Sequence, residues 1–516
     1  MQQLTQSYTG FCMANPGLSD CCIRRKKGKQ EPGLTANTSN REEMMRKFKR
    51  TTAAVLAALM AAGSLAACGS SSSGSGSADA ESTTAAQATE ADNAAGESAA
   101  AAAAKADPTG QTITFWHSMG GVNGEALTYL VDKFNKENTD GIKVDAQYQG
   151  AYDDAINKLK SAQIGNMGAD LVQVYDIGTR FMIDSGWIIP MEDLIENDGW
   201  DKSQIEPNIA AYYTVGDKLY SMPFNSSTPL LYYNKDLFTK AGVEVPDSLP
   251  GIQAIGQQLM DAGAGEVISL SIYGWFFEQF TAKQGQLYAD NNNGRDAAAT
   301  KIVFDENGAG LNILEAWKSL HDAGFAPNVG KGGDAGLPDF SAGKSAMTLG
   351  STASLKQVLN DVNGKFEVGT AYFPKVTDED QGGVSIGGAS LWALNNNDPN
   401  KAAAVWELIK FLVSPESQAY WNSQTGYFPV TTAAYDEQIF KDNIAQYPQF
   451  QTAIDQLHDS TPQSAGALLS IFPEERQIVQ TEIENMLNGQ ETPDQALQKM
   501  SSDINKSIQD YNELNS

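Results

Sequence analysis

Cysteine is scarce in this chain. Its only cysteines are Cys12, Cys21, Cys22 and Cys68, all near one end, so no disulfide can staple the rest of the fold. Histidine is as scarce: His117, His321 and His458 stand apart, without the spacing that holds a metal. No cofactor or metal is expected. There is no phosphate-cradling Walker loop, so any ATP hydrolysis must reside in a partner. His117 beside Ser118, with Asp176 downstream, suggests a hydrolase, but no GxSxG elbow surrounds Ser118, and adjacent strand residues point to opposite faces. The chain is therefore read as not an enzyme, with a secreted hydrolase as the alternative of another class. Positive charge is also in short supply. Against 63 Asp and Glu there are 36 Lys and Arg, for a formal net charge of −27, and ten of those basic residues fall within the first 67 positions. Such a surface repels nucleic acid and anionic membranes, and an anionic ligand would need a local cluster of donors.

What is present begins with a leader. Arg46, Lys47, Phe48, Lys49 and Arg50 form a basic segment after Met44 and Met45, followed by an Ala- and Leu-rich run to Leu65 that is too short to span a bilayer. Leu65-Ala66-Ala67-Cys68 then has the form of a lipobox, which makes residues 44–67 a lipoprotein signal peptide and Cys68 the lipidated residue. Residues 1–43 precede a complete signal and are read as a mis-assigned start. Residues 68–110 carry almost no large apolar side chain and are expected to be a disordered tether, with a mean reach of roughly 35 Å. The poly-Ala run Ala99 to Ala104 is read as a transient helix without functional weight.

A chain of 516 residues exceeds one ordinary domain. From Thr112 the pattern reads strand, helix, strand, helix, strand: Thr112–Phe115, the stripe Leu127, Leu130, Val131 and Phe134, alternation over Ile142–Tyr148, a helix from Asp153, and Leu171–Val174. That order implies a parallel, doubly wound sheet with ligands at the carboxyl ends of its strands. Helices are expected again near Ile252–Ala262, Leu311–Ala323 and after the cap Asp398-Pro399, with strands at Ser345–Leu349 and Val384–Leu394. Asp290-Asn-Asn-Asn-Gly294 reads as a turn, because glycine occupies a position where a calcium loop needs an oxygen ligand. Between the two halves lies SMPFNSSTPLLYYNKD, residues 221–236, where hydroxyls and an amide stand between two strands. By residue type alone it reads first as a surface turn bonding its own backbone.

Five strings settle that ambiguity: TFWHSMGG at 114–121, QVYDIGT at 173–179, PFNSSTPLLYYNKD at 223–236, IGGASLW at 386–392 and TGYFPVT at 425–431. Together they make residues 111–510 resemble the extracellular solute-binding proteins (family 1) of ABC importers, in the branch that takes sn-glycerol 3-phosphate. The resemblance implies an α/β, two-lobed periplasmic-binding-protein fold of type II, its cleft lying between lobes joined by a multi-strand hinge. Residues 111–226 with 347–388 are assigned to the first lobe, and 227–346 with 389–516 to the second. The implied partners are a small phosphorylated polyol, membrane permease subunits with a separate ATPase, and the membrane itself through the lipid anchor; nucleic acid is not among them. The implied location is the outer face of a cell membrane of Gram-positive type.

Carried over position by position, the resemblance places Tyr152, Asp176, Ser227, Ser351, Gly388, Tyr427 and Arg476 in the ligand site. Arg476 would meet a phosphoryl group and Asp176 the glycerol hydroxyls at the other end. On residue type alone, Arg476 after Glu474 and Glu475 is a helix-surface ion pair, Tyr152 a core aromatic and Asp176 a helix cap. His117, Leu249 and Trp275 are further candidate contacts. Leu249 stands where the family pattern has tryptophan, which points to room for a glycerophosphodiester such as glycerophosphocholine. Trp275 would either face its cationic head group or pack in the core. An oligosaccharide receptor is the alternative within the class.

Overall fold

The computed structural model describes residues 95–164, 168–461 and 465–515, all within the unit Ala80–Ser516. Cys12, Cys21, Cys22 and Cys68, the signal peptide and the early tether lie outside the described residues. Among the described residues no helix is long and apolar enough to cross a membrane.

The alternating segment folds as its pattern demands. Strands β1 (Thr112–His117), β2 (Lys143–Tyr148) and β3 (Leu171–Tyr175) pair in parallel in the order β2-β1-β3. The helix Gly121–Glu137 buries Leu127, Leu130, Val131 and Phe134, the stripe legible in the sequence. The sheet is not wholly parallel, however. After β4 (Ile188–Ile189), the small hairpin of β5 (Thr214–Val215) and β6 (Lys218–Leu219), and β7 (Met222–Ser227), a much later strand returns to it. This is β12 (Gly387–Leu394), which runs antiparallel to β3, β4 and β7 and completes six strands.

The second sheet comprises β8 (Pro229–Asn234), β9 (Glu266–Ser269), β10 (Ser345–Ser351) and β11 (Val368–Ala371), in the order β11-β8-β10-β9. β7 and β8 are separated by Thr228 alone, so the stretch at 221–236 is where the chain first passes from one sheet to the other. The assignment of 347–388 to the first lobe does not match these sheets. β10 pairs with β8 and β9 and β11 with β8, so both belong to the second sheet, while β12 belongs to the first. The helix Pro399–Leu412 likewise packs on β12 and β1. Periodicity identifies a strand but not its neighbour, and neighbours decide the lobe.

The tether also departs from expectation. Residues 95–103 are helical, with Ala100 and Ala103 buried in the first sheet's hydrophobic cluster. Glu97 pairs with Lys218 at 3.5 Å, and the Asp107 amide donates to Asn400 Oδ1 at 3.1 Å. A Cβ on Gly96 would lie 2.7 Å from the Pro190 ring, so glycine permits this close approach. A search for large apolar residues misses such a contact, because alanine combines the best helix propensity with a methyl group that still buries. The turn at 290–294 does form, with Asn291, Asn292 and Asn293 all at positive φ and the Asp290 carboxylate accepting from the Thr300 amide.

Candidate ligand-binding site

Four predicted residues gather around the crossing between the sheets. Thr228 and Thr352 tie β7–β8 to the end of β10: the Thr352 amide donates to the Thr228 carbonyl at 2.9 Å, and the Thr228 amide to Thr352 Oγ1 at 3.2 Å. That clasp sets Ser227 and Ser351 side by side. Gly387 of β12 pairs with Ser227, which brings in Gly388, and the Phe428 amide donates to the Ser226 carbonyl at 2.8 Å, which brings in Tyr427. Gly388 has φ +100°, and a Cβ there would lie 1.9 Å from the Asn225 carbonyl oxygen, so no other residue fits without moving the sheet. The Ser351 hydroxyl accepts from the Ala353 amide at 3.1 Å and keeps its proton to donate. Among the described residues the Ser227 hydroxyl makes no hydrogen bond.

Tyr152 and Asp176 come from the first lobe. Tyr152 opens its helix stacked on Tyr175, ring centroids 5.2 Å apart, and its hydroxyl accepts from Asn225 Nδ2 at 3.0 Å. Gln173 in turn donates to Asn225 Oδ1 at 2.7 Å, so the amide orientation is fixed. Asp176 follows β3 directly and starts a 3-10 turn at the strand's carboxyl end.

Arg476 lies on the helix Phe472–Leu487 and is only 6% exposed. Its Nε and Nη2 meet both oxygens of Glu278, at 2.6 and 3.0 Å, and Nη2 also reaches Asp176 Oδ2 at 3.3 Å. A Cβ on Gly274 would lie 2.8 Å from Arg476 Cγ, so the glycine lets the two helices approach closely enough for this bidentate pair. Two carboxylates therefore already hold the guanidinium, at Asp176's end of the site; only Nη1 lacks a hydrogen bond among the described residues. The expectation of Arg476 at one end of a ligand and Asp176 at the other does not survive. Burial pushes the Asp176 and Glu278 carboxyls up, against the pull of Arg476. Behind them Glu475 accepts a hydrogen bond from the Tyr288 hydroxyl, and burial pushes its carboxyl well up.

All seven positions line one cavity of about 260 Å³. Trp275 joins them, and its Nε1 is buried without a partner among the described residues. His117 and Leu249 do not line it. His117 packs on Phe115 and Tyr148 with its ring nitrogen accepting from the Met119 amide at 3.3 Å, and burial pushes it down to about 4. Ser118 Oγ has no partner among the described residues, so the two do not form a nucleophile and base. Leu249 is buried in the second hydrophobic cluster at the start of the helix Leu249–Asp261, so its size does not open this cavity.

Sequence reasoning missed Glu278, Tyr273 and Asp334. A signal for Glu278 existed: Trp275 and Glu278 are spaced i, i+3 on one helix and share a face.

A receptor architecture results: two sheets, a chain that crosses between them, and a polar hollow at the crossing. The family model for bacterial extracellular solute-binding proteins matches residues 129–452, and the chain belongs to that family. It is 34% identical over 400 residues to the sn-glycerol-3-phosphate-binding periplasmic protein UgpB of Escherichia coli strain K12, covering 75% of this chain and 90% of that protein. The Pectobacterium atrosepticum protein of the same name is likewise 34% identical, with 75% and 88% covered. Among solved structures, UgpB from Mycobacterium tuberculosis in complex with glycerophosphocholine superposes with a TM-score of 0.67 at 24% identity, over 78% of this chain and 99% of that one. The acarbose-binding GacH receptor of Streptomyces glaucescens follows at 0.65 and 21%, over 78% and 99%. At these identities both show the shared fold.

Proposed function

We propose that the chain is the substrate-binding lipoprotein of an ABC importer. It captures sn-glycerol 3-phosphate or a glycerophosphodiester such as glycerophosphocholine and hands it to permease subunits driven by a separate ATPase. The supporting observation is the convergence of Tyr152, Asp176, Ser227, Ser351, Gly388, Tyr427 and Arg476, from remote segments, on one cavity. In this reading the phosphoryl group sits at the crossing, held by the Ser227, Ser351 and Tyr427 hydroxyls and by backbone approached at Gly388. Asp176, oriented by Arg476, accepts from the glycerol hydroxyls. Arg476 thus acts as an anchor rather than as the phosphate's counter-ion. Ligand contacts drawn from both lobes shift the population toward the closed form. No catalytic step is assigned. Lipidation at Cys68 would hold the body at the outer face of the membrane.

Calorimetric titration with glycerol 3-phosphate, glycerophosphocholine and maltose tests the reading. Saturable binding of a glycerophosphate, with none of maltose, is the expected result. The reverse pattern would make the chain an oligosaccharide receptor, a reading favoured by the aromatic walls of Tyr152, Tyr175 and Trp275.

A further inference from the structure

The charged groups on the cavity walls leave the site negative. Asp176, Asp334 and Arg476 line it, and Glu278 grips Arg476 from behind, so one guanidinium faces three carboxylates and is bonded to two of them. Neither lysine nor histidine lines the cavity. The remaining ionisable walls are the phenols of Tyr152, Tyr175, Tyr273 and Tyr427, each pushed up by burial and therefore neutral donors at pH 7. Deeper still, Glu475 and Tyr288 add a fourth carboxyl and a fifth phenol but no cation. The donors without a partner among the described residues are neutral too: Trp275 Nε1, which is buried, and the Ser227 hydroxyl, which lines the cavity.

We propose that this site recognises a phosphoryl group as its monoanion, which favours a phosphodiester over the dianionic monoester, and that Asp334 sets the preference. The inference rests on the glycerophosphate reading above. Asp334 follows Gly333 on a loop of the second lobe, and its Oδ1 accepts from the Ser354 hydroxyl at 3.2 Å. Ser354 closes the short turn Thr352–Ser354 that Ser351 caps, so the carboxylate is tied to the segment that carries Ser351, one of the hydroxyls assigned to the phosphate. A single negative charge there is balanced by hydroxyl and indole donors. A second one meets a like charge with no free cation nearby.

The test is calorimetry on the whole chain at pH 7.5 and pH 5.5 with three probes: glycerol 3-phosphate, its methyl diester and glycerophosphocholine. A phosphate monoester loses its second proton near pH 6, so the monoanion rises from about 3% to about three quarters between those values, and monoester affinity should climb about 25-fold. The diesters do not titrate in this range and report any change in the protein itself, so the climb is read as the ratio of monoester to diester affinity. In Asp334→Asn the ratio of diester to monoester affinity at pH 7.5 should fall at least fivefold. A monoester bound as tightly as the diesters at pH 7.5, or one whose rise on acidification the diesters share, overturns the inference and leaves the receptor reading intact. An unchanged ratio in Asp334→Asn removes Asp334 from its role. If none of the three probes binds while maltose does, both readings fall together.

Discussion

Nη2 of Arg476 lies 3.3 Å from Oδ2 of Asp176, so a helix packed in the second lobe holds the end of β3 in the first, with both side chains almost fully out of water. Glu278 completes the arrangement by taking Arg476 from the side. Removing Glu278 leaves a buried guanidinium with one distant partner, a situation that costs about 3 kcal/mol or more. Glu278→Gln should therefore lower unfolding free energy by about that amount in urea titration, and weaken glycerophosphate binding because Arg476, which orients Asp176, loses its bidentate partner. Wild-type stability in Glu278→Gln would show that the ion pair does not form.

The serines at the crossing predict the opposite signature. Ser227 gives its hydroxyl to no described residue, so Ser227→Ala should change stability by no more than about 0.5 kcal/mol. It should nevertheless cut glycerophosphate affinity roughly tenfold to a hundredfold, the usual loss of a hydrogen bond to a charged group. Calorimetric titration beside a thermal melt separates the two effects; equal affinity in the alanine variant would place the phosphate elsewhere.

Gly388 is a backbone requirement. Its φ of +100°, and the Asn225 carbonyl oxygen 1.9 Å from where a Cβ would sit, mean that Gly388→Ala must push β12 away from β7. The expected result is destabilisation of about 2 kcal/mol or more in denaturant, with binding lost in the fraction that folds. A variant with normal stability and affinity would contradict the paired register of Gly388 with Ser226.

Buried carboxyls give stability a definite pH slope. Burial raises Asp176, Glu278 and Glu475 above their unfolded values, most strongly Glu475, which is 0% exposed. Between the unfolded and folded values the native state binds the extra proton, so stability falls as pH rises through that window. Each pH unit over which one proton is retained corresponds to about 1.4 kcal/mol. Denaturation measured from pH 5 to pH 8 should show the decline, and Glu475→Gln, which mimics the protonated acid, should flatten it by stabilising the chain at pH 8. A slope identical to that of the unsubstituted chain would mean that Glu475 is ionised throughout.

Much of this was legible beforehand. The strand at 143–148 follows from alternation and those at 112–117 and 171–175 from the strand-helix order around it, and Asp398 caps the helix Pro399–Leu412 as its position announces. The candidate site residues were placed through a resemblance to a family, four of them within its shared strings, and one cavity collects all seven. What could not be read was partnership between distant segments. β10 looks like any apolar strand, and only its pairing with β8 and β9 puts it in the second lobe. Arg476 reads as a helix-surface ion pair or, by the resemblance, as a phosphate's counter-ion until Glu278, far away in sequence, is folded against it. Leu249 aligns with a site position, yet the fold turns it into the core.

The docked segment 95–103 offers a prediction independent of ligand. Ala100 is 0% exposed against the first lobe, with Ala103 beside it and Glu97 paired to Lys218. An aspartate at position 100 could not remain there uncompensated, so Ala100→Asp should release the helix instead of unfolding the body. Burial of two methyl groups and one exposed ion pair limits the loss to about 1–2 kcal/mol. Trypsin should then cut after Lys105, which is exposed next to the helix, several times faster in the variant, while glycerophosphate affinity stays within twofold because the segment is absent from the cavity lining. Equal cleavage rates would show that the helix is already undocked in solution, and a drop in affinity would show that its docking is transmitted to the cleft.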